Sequence, residues 1–480
     1  MKLNYSKKTP AIAIENILKI ILFSFFSLLF MYIFFEDYSY GVVLLIANSV
    51  ILITYFVIVN HAQKKWLSLS SSEFIKRVFV TGLIFRVLML FLLLWSFYSV
   101  TGTLHNPEAR DSKTYDFLAR IVAQNIIDGN GMHLDYIRGI TLYGFDDIGY
   151  VFILGIIYAV TDQSMIIALF FQIIVDSCCL VLLYKIAQYL WDESICRIAT
   201  ILLLPFTVTI LYSCIPIKEV YLNFFTLVTI LSCLRLFYDG RFLDNIIVLA
   251  ISLFAILSMR TVSFIALIFG ISLFLLLNSK ARLARKIIIL TIASTLFLLL
   301  LIILGKYDDF ISNLQFAFNM RGGRSIEYMA NIQTFAKFAS TPIFTLISVV
   351  MPFPTVVHYN NLSFGQSFQW YSSGGLIIWG ALSYFTSIGI IYTLSRKKTL
   401  IDNALPLGYL IIYIIALIIS IKVTSIRYNV PKFMPLFIYT AVGLKVKFQS
   451  KNILFTVYLV AVSIIIFSWN YIKLAGRGLI

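Results

Sequence analysis

Residues 101–147 read TGTLHNPEARDSKTYDFLARIVAQNIIDGNGMHLDYIRGITLYGFDD and interrupt a chain that is otherwise mostly apolar. They hold Glu108, Asp111, Asp116, Asp128, Asp135, Asp146 and Asp147, seven of the 22 acidic residues. Long connections without a core of their own are functional or disordered. This one contains a helical pattern, which favours function. From Thr114 to Ile127, Phe117, Leu118, Ile121, Val122 and Ile126 fall on one arc at about 100° per residue, with Asp116, Arg120 and Ala123 opposite. The pattern predicts an amphipathic helix lying in a membrane interface, apolar face down, with Asp116 turned to water. Asp111 and Ser112 stand at its start, where short polar side chains cap free N–H groups. Asp111 is thereby placed at the boundary between water and lipid.

Taken whole, the chain of 480 residues is 60% hydrophobic and 12% charged, with a mean hydropathy of +0.93. Apolarity of that degree, gathered in long runs, means transmembrane helices and not a soluble core. The net charge of +16 sits at the ends of the runs, where it orients spans; no basic face for nucleic acid forms. Cys178, Cys179, Cys196, Cys214 and Cys233 lie in or beside apolar runs without CxxC pairing and read as small core residues. Lys2, Lys7 and Lys8 precede the first run with no small-residue cleavage site after it, which predicts a retained first span.

Spans are expected near 17–35, 41–60, 78–99, 165–184, 198–214, 218–237, 244–259, 262–278, 287–304, 373–394, 404–421, 430–445 and 453–471. The apolar segments 148–161 and 341–353 are short and read as interfacial or re-entrant. With the N-terminus in the cytoplasm, the inner connections collect Lys64, Lys65, Lys76, Arg77, Lys280, Arg282, Arg396 and Lys397. The short outer connections at 36–40, 215–217 and 259–261 are almost free of positive charge. The expectation is one integral-membrane domain over 1–480: an all-α polytopic fold of about 13 transmembrane helices, its C-terminus outside. Two outer loops carry interfacial helices, a catalytic-type one at 101–162 and a second at 305–372. No internal repeat, phosphate-cradling glycine loop, HExxH or metal-type Cys/His cluster is present.

Several stretches in order resemble one family. They are DSKTYDFLA (111–119) followed by DGNG (128–131), the short apolar segment 150–161, and a span through Gln172 and Asp176. KIAQYLW (185–191), RIA (197–199), Pro205 and the outer turn IPIKE (215–219) follow, and IRYNVPKFMP (426–435) leads into a span with Gly443. From about residue 80 to 445 the chain resembles the GT-C glycosyltransferases, integral-membrane enzymes of the protein mannosyltransferase and lipopolysaccharide sugar transferase type. It departs from their commonest pattern in having two further spans before the acidic loop.

The resemblance implies a GT-C-like fold and transfer of a sugar from a polyprenyl-phosphate-linked donor to a lipid-linked glycan, lipid or cell-surface polymer. The implied location is the outer face of a bacterial-type inner membrane. Such a reaction needs a carboxylate to deprotonate the acceptor hydroxyl and cations to hold the departing phosphate. Asp111 matches the family's acid, and its two readings are general base and helix cap. Tyr115 of the same motif joins the substrate-binding residues.

Lys218 and Glu219 occupy a very short outer turn, where a carboxylate either lines a polar cavity or begins a helix. Arg260 and Arg427 lie at outer span ends, as phosphate-gripping guanidiniums or as snorkelling side chains. Arg321 and Arg324, in RGGR, form a basic turn in the second loop, either a phosphate clamp or solvated. His133 and His358 stand alone, Trp370 and Tyr371 read as sugar-stacking or interfacial aromatics, and Arg86 within the third span has no assigned role. No cofactor is required by any motif; a divalent metal is allowed but not indicated.

Two other functions share these features. An oligosaccharide repeat-unit polymerase has the same spans, outer loops and lipid-phosphate substrates. A flippase or transporter of lipid-linked glycans would favour internal repeats and ionisable residues at mid-membrane depth. The charges here gather at the outer rim apart from Arg86 and Asp176, which tilts the reading towards an enzyme.

Overall fold

Helix α3, Ser71–Thr101, begins and ends on local chemistry. Ser70 accepts from the Glu73 N–H at 3.3 Å while the Glu73 carboxylate accepts from the Ser70 N–H at 3.2 Å, a closed capping box. Gly102, at φ +68°, takes the left-handed turn that stops it. Two earlier helices, α1 (Ile14–Phe34) and α2 (Gly41–Trp66), pack on one another. The computed structural model describes residues 2–3, 12–35, 41–106, 110–129, 147–239, 242–278, 369–420 and 426–475.

After α3 come α4 (Arg110–Ile127), α5 (Ile148–Val160), α6 (Met165–Leu190), α7 (Glu193–Leu203) and α8 (Thr207–Ser213). Then follow α9 (Glu219–Tyr238), α10 (Phe242–Met259) and α11 (Thr261–Asn278). Beyond the undescribed 279–368 lie α12 (Gln369–Leu394), α13 (Lys397–Asp402), α14 (Ala404–Ser420), α15 (Ile426–Lys445) and α16 (Lys451–Ala475). The only strands among the described residues are β1 (Lys2–Leu3) and β2 (Val446–Lys447), paired antiparallel. The chain is an all-α polytopic membrane protein.

Of the thirteen spans expected, twelve fall on described residues, and each coincides with a helix or a helix pair. Eight are long and apolar enough to cross a membrane by themselves: α1, α2, α3, α6, α9, α11, α12 and α16. The other four differ for local reasons. The expected 198–214 span is two helices bent by 61° where Pro205 ends α7. The Leu202 carbonyl near that break accepts from the buried Tyr55 hydroxyl at 2.8 Å. Helices α10 and α14 are apolar but short, and α15 carries Arg427, Lys432 and two prolines, Pro431 and Pro435. The thirteenth, 287–304, and the segment 341–353 lie outside the described residues.

Burial sorts these helices into centre and rim. The apolar window of α12 is 83% buried and that of α9 67%, whereas that of α16 is 22%. Helices α12 and α15 touch through glycine. A Cβ on Gly389 would strike the Tyr439 carbonyl, and one on Gly443 the Phe385 carbonyl. Thr386 and Thr440 hydroxyls bond across the same contact at 2.7 Å. Phe206, at the α7–α8 bend, packs edge-on against Phe433 and Phe437, and Trp379 closes the group. Arg86 finds its role here: its Nε reaches Asp176 at 2.6 Å with both side chains buried, so it pins α3 to α6.

Two ends of the bundle can be told apart. At one, Arg197 donates to the carbonyls of Trp66, Leu67 and Leu69, Trp191 bonds Asn403, and β1 lies along β2. At the other, α4, the turn before α9, the α10–α11 junction and the start of α15 converge. The five cysteines are all free, and four are buried.

Candidate functional site

Helix α4 is amphipathic as its sequence requires, but its partner is protein. It lies along α5, with Leu118 and Val122 buried and a Cβ on Gly155 excluded by Val122. Phe117 remains 56% exposed, so only part of the apolar arc packs inward. Two expectations fall with this. Asp116 does not face water: it is buried, accepts from the Tyr158 hydroxyl of α5, and pairs with Arg120 at 3.0 Å. His105 lies 3.6 Å away, and its burial holds the imidazole below its ordinary pKa. Asp111 sits inside the first turn of α4, where its partner among the described residues is Arg427 of α15, in an ion pair.

From that pair the cluster builds inward. Glu219, the first residue of α9, is fully buried. Its Oε1 accepts from Arg260 Nη2 at 2.8 Å and lies 3.2 Å from Arg427 Nε, a charge contact without hydrogen-bond alignment. Its Oε2 has no hydrogen-bond partner among the described residues. Arg260, at the α10–α11 junction, also donates to the Tyr413 hydroxyl at 3.2 Å, and that hydroxyl donates to the Tyr428 carbonyl at 2.9 Å. Both guanidiniums stack on one ring: Arg427 lies 4.9 Å and Arg260 5.1 Å from the Tyr428 centroid.

Lys218 forms a second arm. Its ammonium donates to Asp147 and, at 2.7 Å, to the Met259 carbonyl. The Tyr115 hydroxyl donates to the same Asp147 carboxylate at 2.9 Å. Burial acts to raise the Asp147 pKa, but the Lys218 charge and the two hydrogen bonds outweigh it and hold the carboxyl below the usual range. Tyr115 is pushed well above the ordinary tyrosine value, first by burial and then by that carboxylate, so it stays a neutral donor.

The turn that presents Lys218 and Glu219 is itself fixed. Gln172, buried in α6, donates to the carbonyls of Ser213 at 3.1 Å and Ile215 at 2.6 Å. Its own carbonyl accepts from Tyr150 at 3.1 Å, and the Tyr150 ring packs on Tyr115 and Tyr221.

Asp111, Tyr115, Lys218, Glu219, Arg260 and Arg427, singled out from sequence, therefore meet in one place. Among the described residues, three cations face three carboxylates there, counting Asp147. The sequence marked Asp147 only as the point where the chain re-enters the membrane, and gave no sign of Tyr413, which lies in an apolar run. Arg321, Arg324, His133, His358 and Asp146 lie outside the described residues, as do the side chains of Trp370 and Tyr371. Among the described residues, no three His, Cys, Asp or Glu side chains gather as a metal site. Compared with protein-family models, curated proteins and solved structures, the chain finds no match in any of the three.

Proposed function

We propose that this chain is a GT-C-type glycosyltransferase that uses a polyprenyl-phosphate-linked sugar, and that the cluster around Glu219 is its active site. The observation that carries the reading is the pairing of Asp111 with Arg427, one of two guanidiniums stacked on Tyr428 at one end of a membrane bundle. Paired guanidiniums suit a phosphate, because each presents a planar fork of donors. The acceptor hydroxyl attacks the anomeric carbon as the bond from that carbon to the phosphate oxygen breaks. Its proton passes to the Asp111 carboxylate, and polyprenyl phosphate leaves against Arg427 and Arg260. A single displacement of this kind inverts the anomeric centre.

The remaining parts have supporting roles in this proposal. Glu219 holds both guanidiniums in register, and the Lys218–Asp147–Tyr115 arm ties α4 and the start of α5 to the site. The finer topology belongs to the same reading: thirteen spans, N-terminus cytoplasmic, C-terminus and site outside, in a bacterial-type inner membrane. Mass spectrometry of lipid-linked and surface glycans, with and without the chain, tests the proposal. Loss of a single sugar from the acceptor is the expected result. Accumulation of complete single repeat units without polymer would assign the site to a polymerase instead.

A further inference from the structure

The three carboxylates of the cluster differ in their access to water, and this decides how a ligand can enter. The Glu219 side chain is 0% exposed, that of Asp147 11% and that of Asp111 44%. Among the described residues the cluster is balanced, with three cations against three carboxylates. A phosphate ester brings one or two further negative charges, and a poorly solvated cluster cannot carry that excess. One resident carboxylate has to release its cation and be taken up by water. Glu219 has no path to water and contacts both guanidiniums. Asp147 is held by Lys218 and Tyr115. Asp111 alone stands half out, and it occupies Arg427, whose side chain is 21% exposed against 7% for Arg260.

We propose that Asp111 is an internal occupant of the anion site on Arg427, and that the phosphate of the donor displaces it. The inference rests on the phosphate reading of the cluster given above and adds an order of binding to it. While Asp111 is paired, its Oδ2 is engaged by the guanidinium, and the carboxylate stands where the phosphate would bind Arg427. Once phosphate has taken Arg427, the carboxylate is released, free to accept from an acceptor hydroxyl that approaches the face of the anomeric carbon opposite the phosphate. The donor therefore binds first, and the base is delivered only to a loaded site.

Displacement has a signature that neither a ligand contact nor a structural cap would give. Removing the internal competitor must tighten phosphate binding. The test uses the full-length protein in detergent with farnesyl phosphate as the probe, and compares wild type with Asp111→Asn, Asp111→Ser, Asp128→Asn and Arg427→Ala. Asp111→Asn is expected to bind about two- to fivefold more tightly than wild type, the range set by loss of a partly exposed ion pair. Asp111→Ser supplies the same comparison should the asparagine variant fold poorly. Asp128→Asn, an exposed acid at the far end of α4, should match wild type, which separates displacement from a change in net charge. Inorganic phosphate should give the same ratio between Asp111→Asn and wild type, since the competing group is the phosphate itself. Equal or weaker binding by Asp111→Asn, with binding still lost in Arg427→Ala, overturns displacement and leaves the phosphate site standing. Wild-type binding by Arg427→Ala overturns both.

Discussion

Arg260 and Glu219, 41 residues apart in sequence, meet 2.8 Å apart with side chains 7% and 0% exposed. Desolvating such a pair is costly, and removing one partner leaves a buried charge alone. Glu219→Ala and Arg260→Ala are each expected to lose ~3–5 kcal/mol of stability. Glu219→Gln with Arg260→Met should recover much of that loss but no activity. Thermal unfolding in detergent of the two alanine variants and their double, run as a double-mutant cycle, gives the coupling directly. Additive losses would mean that the pair is not formed.

Arg427 is the guanidinium nearer to water, and its contacts use the fork. Nη1 meets Asp111, Nη2 donates to the Tyr428 hydroxyl at 3.0 Å, and Nε faces Glu219. Lysine keeps the charge but not that geometry. Arg427→Lys is expected to lose about tenfold or more in transfer rate, as for a charged hydrogen bond removed. Near-normal turnover in Arg427→Lys and Arg427→Ala together would remove the residue from the site.

The Lys218–Asp147 arm makes a prediction in pH. The Asp147 carboxyl titrates below its ordinary range in the folded protein, so the arm stabilises the fold at neutral pH. That contribution is lost as pH falls through the depressed folded value. The melting-temperature difference between wild type and Asp147→Asn should thus be constant near neutrality and shrink only below the usual carboxylate range. A difference that has already vanished at about pH 5 would contradict the assigned direction.

Sidedness follows from the placement of charge. Single cysteines at Asn130 and Ser395, in a background without the five native cysteines, should respond oppositely to an impermeant thiol reagent. The site reading requires labelling of residue 130 from outside. Labelling of both positions from outside, or of neither, would contradict the proposed topology.

The sequence carried much of this arrangement, and its failures have physical causes. Span positions were legible because apolar runs of about 20 residues have few other readings. Glu219, Arg260 and Arg427 stood out because they lie at the outer ends of spans, where the short connections are otherwise almost free of positive charge. Their mutual pairing was not legible, since it depends on how α9, α10 and α15 pack over long separations. Asp116 was misplaced because periodicity identifies the faces of a helix but not what covers them. The Tyr158 hydroxyl of α5 meets the face that the pattern gave to water. The bend at Pro205 hides in an apolar run that reads as a continuous span.

The central claim is that Asp111 is the base, and donor consumption by Asp111→Asn tests it most directly. Asparagine keeps the size and shape of aspartate, while removing the charge and basicity that deprotonation requires. The control is an acid outside the site, and not Asp116, whose burial against Tyr158 and Arg120 makes any change there a change in the α4–α5 packing. Asp128→Asn, exposed at the other end of α4, serves instead. The prediction is a folded, membrane-inserted Asp111→Asn protein whose transfer rate falls by ~10²–10⁴, with Asp128→Asn unaffected. Transfer by Asp111→Asn at the wild-type rate would contradict it.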